Sequence, residues 1–181
     1  GKTIIMSTLI STLRLDASIK KIVVIVPTHL AKQTYDEFLT YRPTWSTSWW
    51  TGEHAPDKSC DVIIAGSNIL LSKQQDVSWL FDADLLIFDE AHTARHSNKI
   101  NKILKKFNTN YRFGFTGTMP EDLLDQWTVK GLIGPVIIEK TSAELRNDNY
   151  ISDVQVRIIE LKHLNPPSLI DISKSTDQYR A

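Results

Sequence analysis

Leu85-Leu86-Ile87-Phe88-Asp89-Glu90-Ala91-His92 decides how this sequence is read. Four apolar residues run directly into two adjacent carboxylates, and a histidine follows two positions later. A short apolar run bounded by polar residues is the pattern of a strand buried on both faces of a parallel sheet. Asp89 and Glu90 then stand at its C-terminal end, the edge at which open α/β sheets bind ligands. Two neighbouring acids at the end of a buried strand are costly unless a cation meets them.

Upstream of that strand, Ile22-Val23-Val24-Ile25-Val26 is an all-apolar, β-branched run stopped by Pro27, a second central strand. Cys60 to Ala65 is a third, followed by Gly66-Ser67 and a short helix through Leu71. Leu30 to Tyr41 reads as a helix with Thr28 placed to cap it, and Trp45 to Thr51 is β-prone until Gly52. Downstream, Ser97 is expected to cap a helix carrying Ile100, Ile103, Leu104 and Phe107 at i, i+3, i+4 and i+7. Tyr111 to Phe115 leads as a strand into Thr116-Gly117-Thr118, and Pro120 is expected to open the next helix. Val136 to Ile138 and Val154 to Leu161 read as further strands, with a short helix between them over Ser142 to Arg146. Strands alternating with helices give an α/β fold, doubly wound around a mainly parallel sheet. Ile22–Val26, Val62–Ala65, Leu85–Phe88 and Arg112–Phe115 are expected to be neighbouring buried strands. Their ends should gather Thr28, Gly66, Asp89 and Thr116 along one edge.

Composition narrows the setting. The 181 residues suit one domain, and a hydrophobic share of 41% supplies a core. Lys+Arg and Asp+Glu are both 21, so a nucleic-acid surface, if present, has to be local. A single cysteine, Cys60, excludes an internal disulfide framework and suits a reducing, cytoplasmic setting. No apolar run approaches the roughly 20 residues of a membrane helix, so no membrane partner is expected. The chain opens on Gly1-Lys2-Thr3 without a preceding strand, and it is read as a fragment whose N-terminal part is missing.

Gly1-Lys2-Thr3, ahead of a helix-like spacing at Ile4, Ile5, Leu9, Ile10 and Leu13, is the second half of the P-loop pattern. In that pattern the helix N-terminus holds phosphate, Lys2 reaches the β- and γ-phosphates, and Thr3 ligates magnesium. Asp89 would hold the same ion and Glu90 would activate the attacking water, the division of labour that nucleotide hydrolysis needs. ATP and Mg²⁺ are therefore the expected cofactors.

Five segments in order resemble the first RecA-like lobe of superfamily 2 helicases of the DExH/DEAH type. They are Gly1-Lys2-Thr3 (motif I, truncated), Val26-Pro27-Thr28-His29-Leu30-Ala31-Lys32-Gln33 (Ia), Thr51-Gly52 (Ib), Asp89-Glu90-Ala91-His92 (II) and Phe115-Thr116-Gly117-Thr118 (III). The turn at Thr116 and the stretch from Thr141 to Ser152 resemble phage UvsW-type and XPB/RecG-like DNA helicases. The resemblance covers residues 1–162, a RecA-like ATP-binding lobe lacking its first strand. Residues 163–181 would be a linker or the start of the second lobe. It implies an ATP hydrolase that drives movement along DNA, with RNA possible, and that needs a second RecA-like lobe to complete its site. The chain alone would then be weak or inactive. If phage-encoded, it would work in the bacterial host cytoplasm.

Pro27, Thr28, Thr51, Gly52, Gly66 and Ser67 are the expected nucleic-acid contacts, through hydroxyls and backbone N–H groups that meet phosphates without reading bases. By resemblance, His92 with Thr116, Gly117 and Thr118 relays nucleotide state to that groove. Two other readings remain: the motor lobe of a restriction or remodelling translocase that does not unwind, and a non-catalytic remnant that binds nucleic acid. Lys99, Lys102, Lys105 and Lys106 read as a solvated helix face, and Trp45, Trp49 and Trp50 as strand packing. The other histidines have no metal-ligand spacing with Cys60, so no zinc site is expected.

Overall fold

The β-branched runs become the centre of a parallel sheet in a computed structural model that describes residues 1–16, 18–41, 43–150, 152 and 157. The strands are β1 (Ile22–Val26), β2 (Thr47–Trp50), β3 (Val62–Gly66), β4 (Leu85–Asp89) and β5 (Tyr111–Phe115), in the order β2-β3-β1-β4-β5. Val24 lies opposite Ile64 on one side and Ile87 on the other. Every residue of β1, β3 and β4 is buried, as the uninterrupted apolar runs require.

Six helices accompany the strands among the described residues: α1 (Lys2–Leu13), α2 (Ala31–Thr40), α3 (Ser67–Leu71), α4 (Lys99–Leu104), α5 (Leu123–Ile133) and α6 (Ser142–Asn147). Alternate strand residues feed two separate cores. Ile22, Val24, Val26, Ile64 and Ile87 pack with Met6 and Ile10 of α1 and Phe38 of α2. Val23, Ile25, Ile63, Leu86 and Phe88 pack with Leu70 of α3, Leu104 of α4 and Leu132 of α5. Helices thus cover both faces, and the sheet is doubly wound.

Several local expectations are corrected. Thr28 does not cap α2: a short 3-10 turn, Thr28–Leu30, precedes that helix, and the residue before α2 is Leu30. Asn98, not Ser97, caps α4, its side chain accepting from Ile100 N–H at 3.3 Å. Asp122, not Pro120, opens α5, accepting from Asp125 N–H at 3.1 Å. Val136 to Ile138 is not a strand: those apolar residues pair with no strand among the described residues and stand exposed. β5 is only half covered, since it pairs with β4 alone and is the outer strand among the described residues. On α1 the buried residues are Met6, Ser7 and Ile10, while Ile4 and Ile5 face outward.

The first compact unit ends at Ile137 and a second begins at Ile138. In the second, Thr141 and Glu144 form a reciprocal capping box on α6, and Lys140 pairs with Asp148 at 3.1 Å. The strand expected over Val154 to Leu161 and the segment 163–181 lie outside the described residues, apart from Arg157. No helix among the described residues is long and apolar enough to cross a membrane.

Candidate functional site

Because all five strands are parallel, their C-terminal ends share one edge. Thr51 follows β2, Gly66 closes β3, Pro27 and Thr28 follow β1, Asp89 closes β4 and Thr116 follows β5. The residues singled out in the sequence therefore collect along one line of backbone, as open α/β sheets arrange their ligand sites.

At the β4 end of this line, α1 brings in Lys2. Its Nζ lies 2.5 Å from Glu90 Oε1 and 3.0 Å from Asp89 Oδ1. Burial alone would lower the Lys2 ammonium, but the hydrogen bonds and charges of Glu90 and Asp89 together outweigh it and hold the group above its ordinary value. Asp89 is buried, and apart from the Lys2 ammonium its Oδ1 meets no donor among the described residues. A buried carboxylate oxygen whose one polar neighbour is a cation suits a divalent cation. Mg²⁺ needs only one or two protein carboxylates when phosphates and water complete its shell, so these residues fit it. Thr3 lies one residue further along α1; its hydroxyl and the Gln33 amide hold the Glu37 carboxyl of α2 below the usual carboxylate range.

Glu90 sits in the left-handed region at φ 55°, ψ 48°. For a non-glycine residue that conformation costs on the order of 1–3 kcal/mol and persists where its surroundings enforce it. The turn aims the carboxylate back towards Lys2 and opens a 3-10 turn, Ala91–Thr93, that carries His92. His92 Nδ1 lies 2.8 Å from Thr116 Oγ1 and 3.3 Å from Glu90 Oε2. Thr116 donates its own hydroxyl proton to Thr118 O at 2.8 Å. Both oxygens facing Nδ1 are therefore acceptors, which puts the imidazole proton on Nδ1. Lys2, Glu90, His92, Thr116 and the Thr118 carbonyl form one continuous polar chain from α1 to the turn after β5. Gly117 has open space around it and shows no steric need for glycine.

Thr28 and Gly66 form a second centre, between β1 and β3. Thr28 Oγ1 accepts from Asn68 N–H at 3.0 Å, which leaves its own O–H free to donate. Gly66 is required for this approach, since a Cβ there would lie 3.1 Å from three atoms of Thr28. Thr51 and Gly52 stand beside this corner, as Trp50 pairs with Ala65, and among the described residues Thr51 bonds within its own turn, its N–H to His54 O at 3.0 Å and its hydroxyl accepting from Glu53 N–H at 3.4 Å. The sequence reading missed Gly114. A Cβ on Gly114 would come within 2.8 Å of Ala91 Cβ, and an isolated glycine inside a strand pattern is the signal of such close approach. A cavity of about 340 Å³, lined by Asp82, Asp84, Asn108 and Tyr111 among others, opens at the opposite edge and contains none of the predicted site residues.

With this geometry, the sequence family described as "Type III restriction enzyme, res subunit" matches residues 1–121. The chain belongs to that family. Res-subunit membership and the five-stranded parallel sheet identify a RecA-like lobe of the superfamily 2 helicase type. No curated protein matches the chain in sequence. Among solved structures, the SWI2/SNF2 ATPase core of Sulfolobus solfataricus in complex with dsDNA is similar at 21% identity and a TM-score of 0.62, over 81% of this chain and 32% of that one. The UvsW helicase of bacteriophage T4 is similar at 22% identity and a TM-score of 0.59, over 74% of this chain and 49% of that one. These likenesses establish the fold, and the chain spans about a third of one of those structures and about half of the other.

Proposed function

We propose that this chain is the ATP-binding lobe of a nucleic-acid motor, an ATP-dependent DNA helicase or translocase in its intact form. The observation that carries the reading is the meeting of Lys2 with Asp89 and Glu90 at the C-terminal edge of the sheet, continued through His92 to Thr116. Magnesium-bound ATP, when present, supplies the phosphoanhydride that is broken. Lys2 holds the negative charge of the outer phosphates, and Asp89 Oδ1 with the Thr3 hydroxyl offers oxygens to the metal. Glu90 takes the proton of the attacking water. The free O–H of Thr28, with the backbone of Pro27, Thr51, Gly52, Gly66 and Ser67, meets the sugar-phosphate backbone without reading bases. A second lobe of the same protein completes the site, and Cys60 fits a reducing, cytoplasmic setting.

The family description favours one variant, in which the motor serves a restriction enzyme; such a motor would translocate without separating strands. The test is ATPase activity of the intact protein with and without single-stranded DNA, forked DNA and RNA, at fixed salt, together with strand separation. Stimulation with unwinding supports a helicase, and stimulation without unwinding supports the restriction-type translocase. An intact protein that hydrolyses no ATP with any of these nucleic acids would overturn the motor reading and leave a binding remnant.

A further inference from the structure

The turn that carries Glu90 is gripped from outside by two helices that contain none of the candidate site residues described above. Within the turn, the Thr93 N–H and hydroxyl both donate to Glu90 O, at 2.9 and 2.8 Å, and Ala94 N–H donates to Ala91 O at 3.0 Å. Three further polar groups over 93–96 are met by side chains, and Arg95 O by the backbone N–H of Asn98 at 3.0 Å. Asn98 Nδ2 donates to Thr93 O at 2.8 Å, and Asn101 Nδ2 of α4 donates to Ala94 O at 3.3 Å. Asp125 Oδ1 of α5 accepts from His96 N–H at 2.9 Å. Asn101 is 4% exposed and Ala94 fully buried, so this bond is made out of reach of solvent. Asp125 is not needed as a cap, because Asp122 already fills that position for α5.

We infer that Asn101 and Asp125 are positioning residues for Glu90, a conclusion that rests on reading Glu90 as the group that activates water. A left-handed glutamate holds its conformation only where its neighbours over-determine it. The bonds from α4 and α5 fix the segment directly after it, keeping the Glu90 carboxylate against Lys2 and the His92 ring against Thr116. α5 is also the next element after the Thr116–Thr118 turn, with four residues between. Asp125 is therefore a second tie between that turn and the carboxylates, parallel to the His92–Thr116 contact. The sequence offered no hint of this, since Asn101 and Asp125 read as ordinary polar helix positions.

The experiment compares Asp125→Ala, Asp125→Asn and Asn101→Leu with the parent in the intact protein. Steady-state ATP hydrolysis is measured together with thermal midpoint and amide exchange at Thr93 and Ala94. Displacing a reacting group by a fraction of an ångström is expected to lower kcat about tenfold in Asp125→Ala and Asn101→Leu, with KM for ATP within about twofold. Asp125→Asn keeps an oxygen for His96 N–H and should restore most of the rate. Amide exchange at Thr93 and Ala94 should quicken in the first two variants. Parent-like kcat in both, or a loss in Asp125→Asn equal to that in Asp125→Ala, would overturn the inference. If the parent itself hydrolyses no ATP, the Glu90 reading fails on its own, and the exchange data still decide the clamp: unchanged protection in both variants would overturn it.

Discussion

Lys2 Nζ lies 2.5 Å from Glu90 Oε1, joining the head of the first helix to the residue after the fourth strand across 88 positions of sequence. Lys2 also balances Asp89, so one ammonium serves two carboxylates of different burial. The two ends of this pair carry separate consequences. Glu90→Gln keeps a side chain of the same shape beside Lys2 but removes the carboxylate proposed as the base. Nucleotide binding should survive while hydrolysis falls at least about a hundredfold, the scale of losing a general base. Lys2→Ala should weaken nucleotide binding itself. Binding of a fluorescent ATP analogue and steady-state ATPase, measured on both variants, check the split. Normal hydrolysis by Glu90→Gln would make that carboxylate structural.

Gly114 tests how closely the turn is packed against β5. A methyl group there would meet Ala91 Cβ at 2.8 Å and Ile133 Cγ2 at 3.0 Å. Ala91 has no rotamer with which to yield, so the backbone beside Glu90 must shift. Gly114→Ala should therefore cost about 1–3 kcal/mol, the range of an overpacked core. Gly117→Ala, with open space around it, should change stability by less than about 0.5 kcal/mol. Denaturant unfolding of the two variants makes the comparison.

What could be read in advance followed the physics of each signal. Uninterrupted apolar runs specify buried parallel strands almost by themselves, so β1, β3 and β4 were legible, and with them the edge that holds Asp89, Gly66 and Thr28. Val136 to Ile138 has the same local composition, but a strand needs a hydrogen-bonding partner, and pairing is not a property of three residues. Capping residues were misplaced by a position or two at Ser97 and Pro120, where several polar residues compete for each helix start. Lys2, Asp89 and Glu90 were legible because adjacent acids after a buried strand demand a cation. Asn101 and Asp125 make single bonds across the fold, which no sequence pattern records.

Asp61 supplies a pH dependence. Its carboxylate accepts from Ser46 N–H and Oγ at 2.8 and 2.9 Å and pairs with Arg14 at 3.2 Å, tying the entry to β2 to the end of α1. Burial would raise this carboxyl, but the Ser46 bonds and Arg14 outweigh it and hold it below the usual aspartate value. A depressed folded-state value contributes stability above the unfolded-state pKa of about 3.9, and that contribution is lost as pH falls through the folded value. Asp61→Asn should cost about 1 kcal/mol at pH 7, allowing for partial solvent screening, and progressively less as pH falls below the unfolded-state value and through the folded one. Thermal midpoints of parent and variant across that range should converge at the acid end. A constant gap would assign the loss to hydrogen bonding by the neutral group.

The contact between His92 Nδ1 and Thr116 Oγ1 separates a coupled motor from a plain ATPase. Thr116 contributes its side chain to the polar chain, whereas Thr118 contributes a backbone carbonyl and N–H. The two threonines, alike in sequence, should therefore differ in effect. Thr116→Ala removes the acceptor of the His92 proton while leaving Lys2, Asp89 and Glu90 untouched, so basal ATPase should stay within about threefold. Stimulation by DNA should fall about tenfold, since coupling is a free-energy link of about 1–3 kcal/mol that can vanish while each site still binds its ligand. Thr118→Ala keeps the backbone groups and should be stimulated like the parent. ATPase with and without single-stranded and forked DNA, at one salt concentration, distinguishes the two because phosphate contacts weaken with salt. Equal stimulation of Thr116→Ala and parent would take the hydroxyl out of the relay. Equal losses in both variants would move the coupling from that hydroxyl to the conformation of the whole turn.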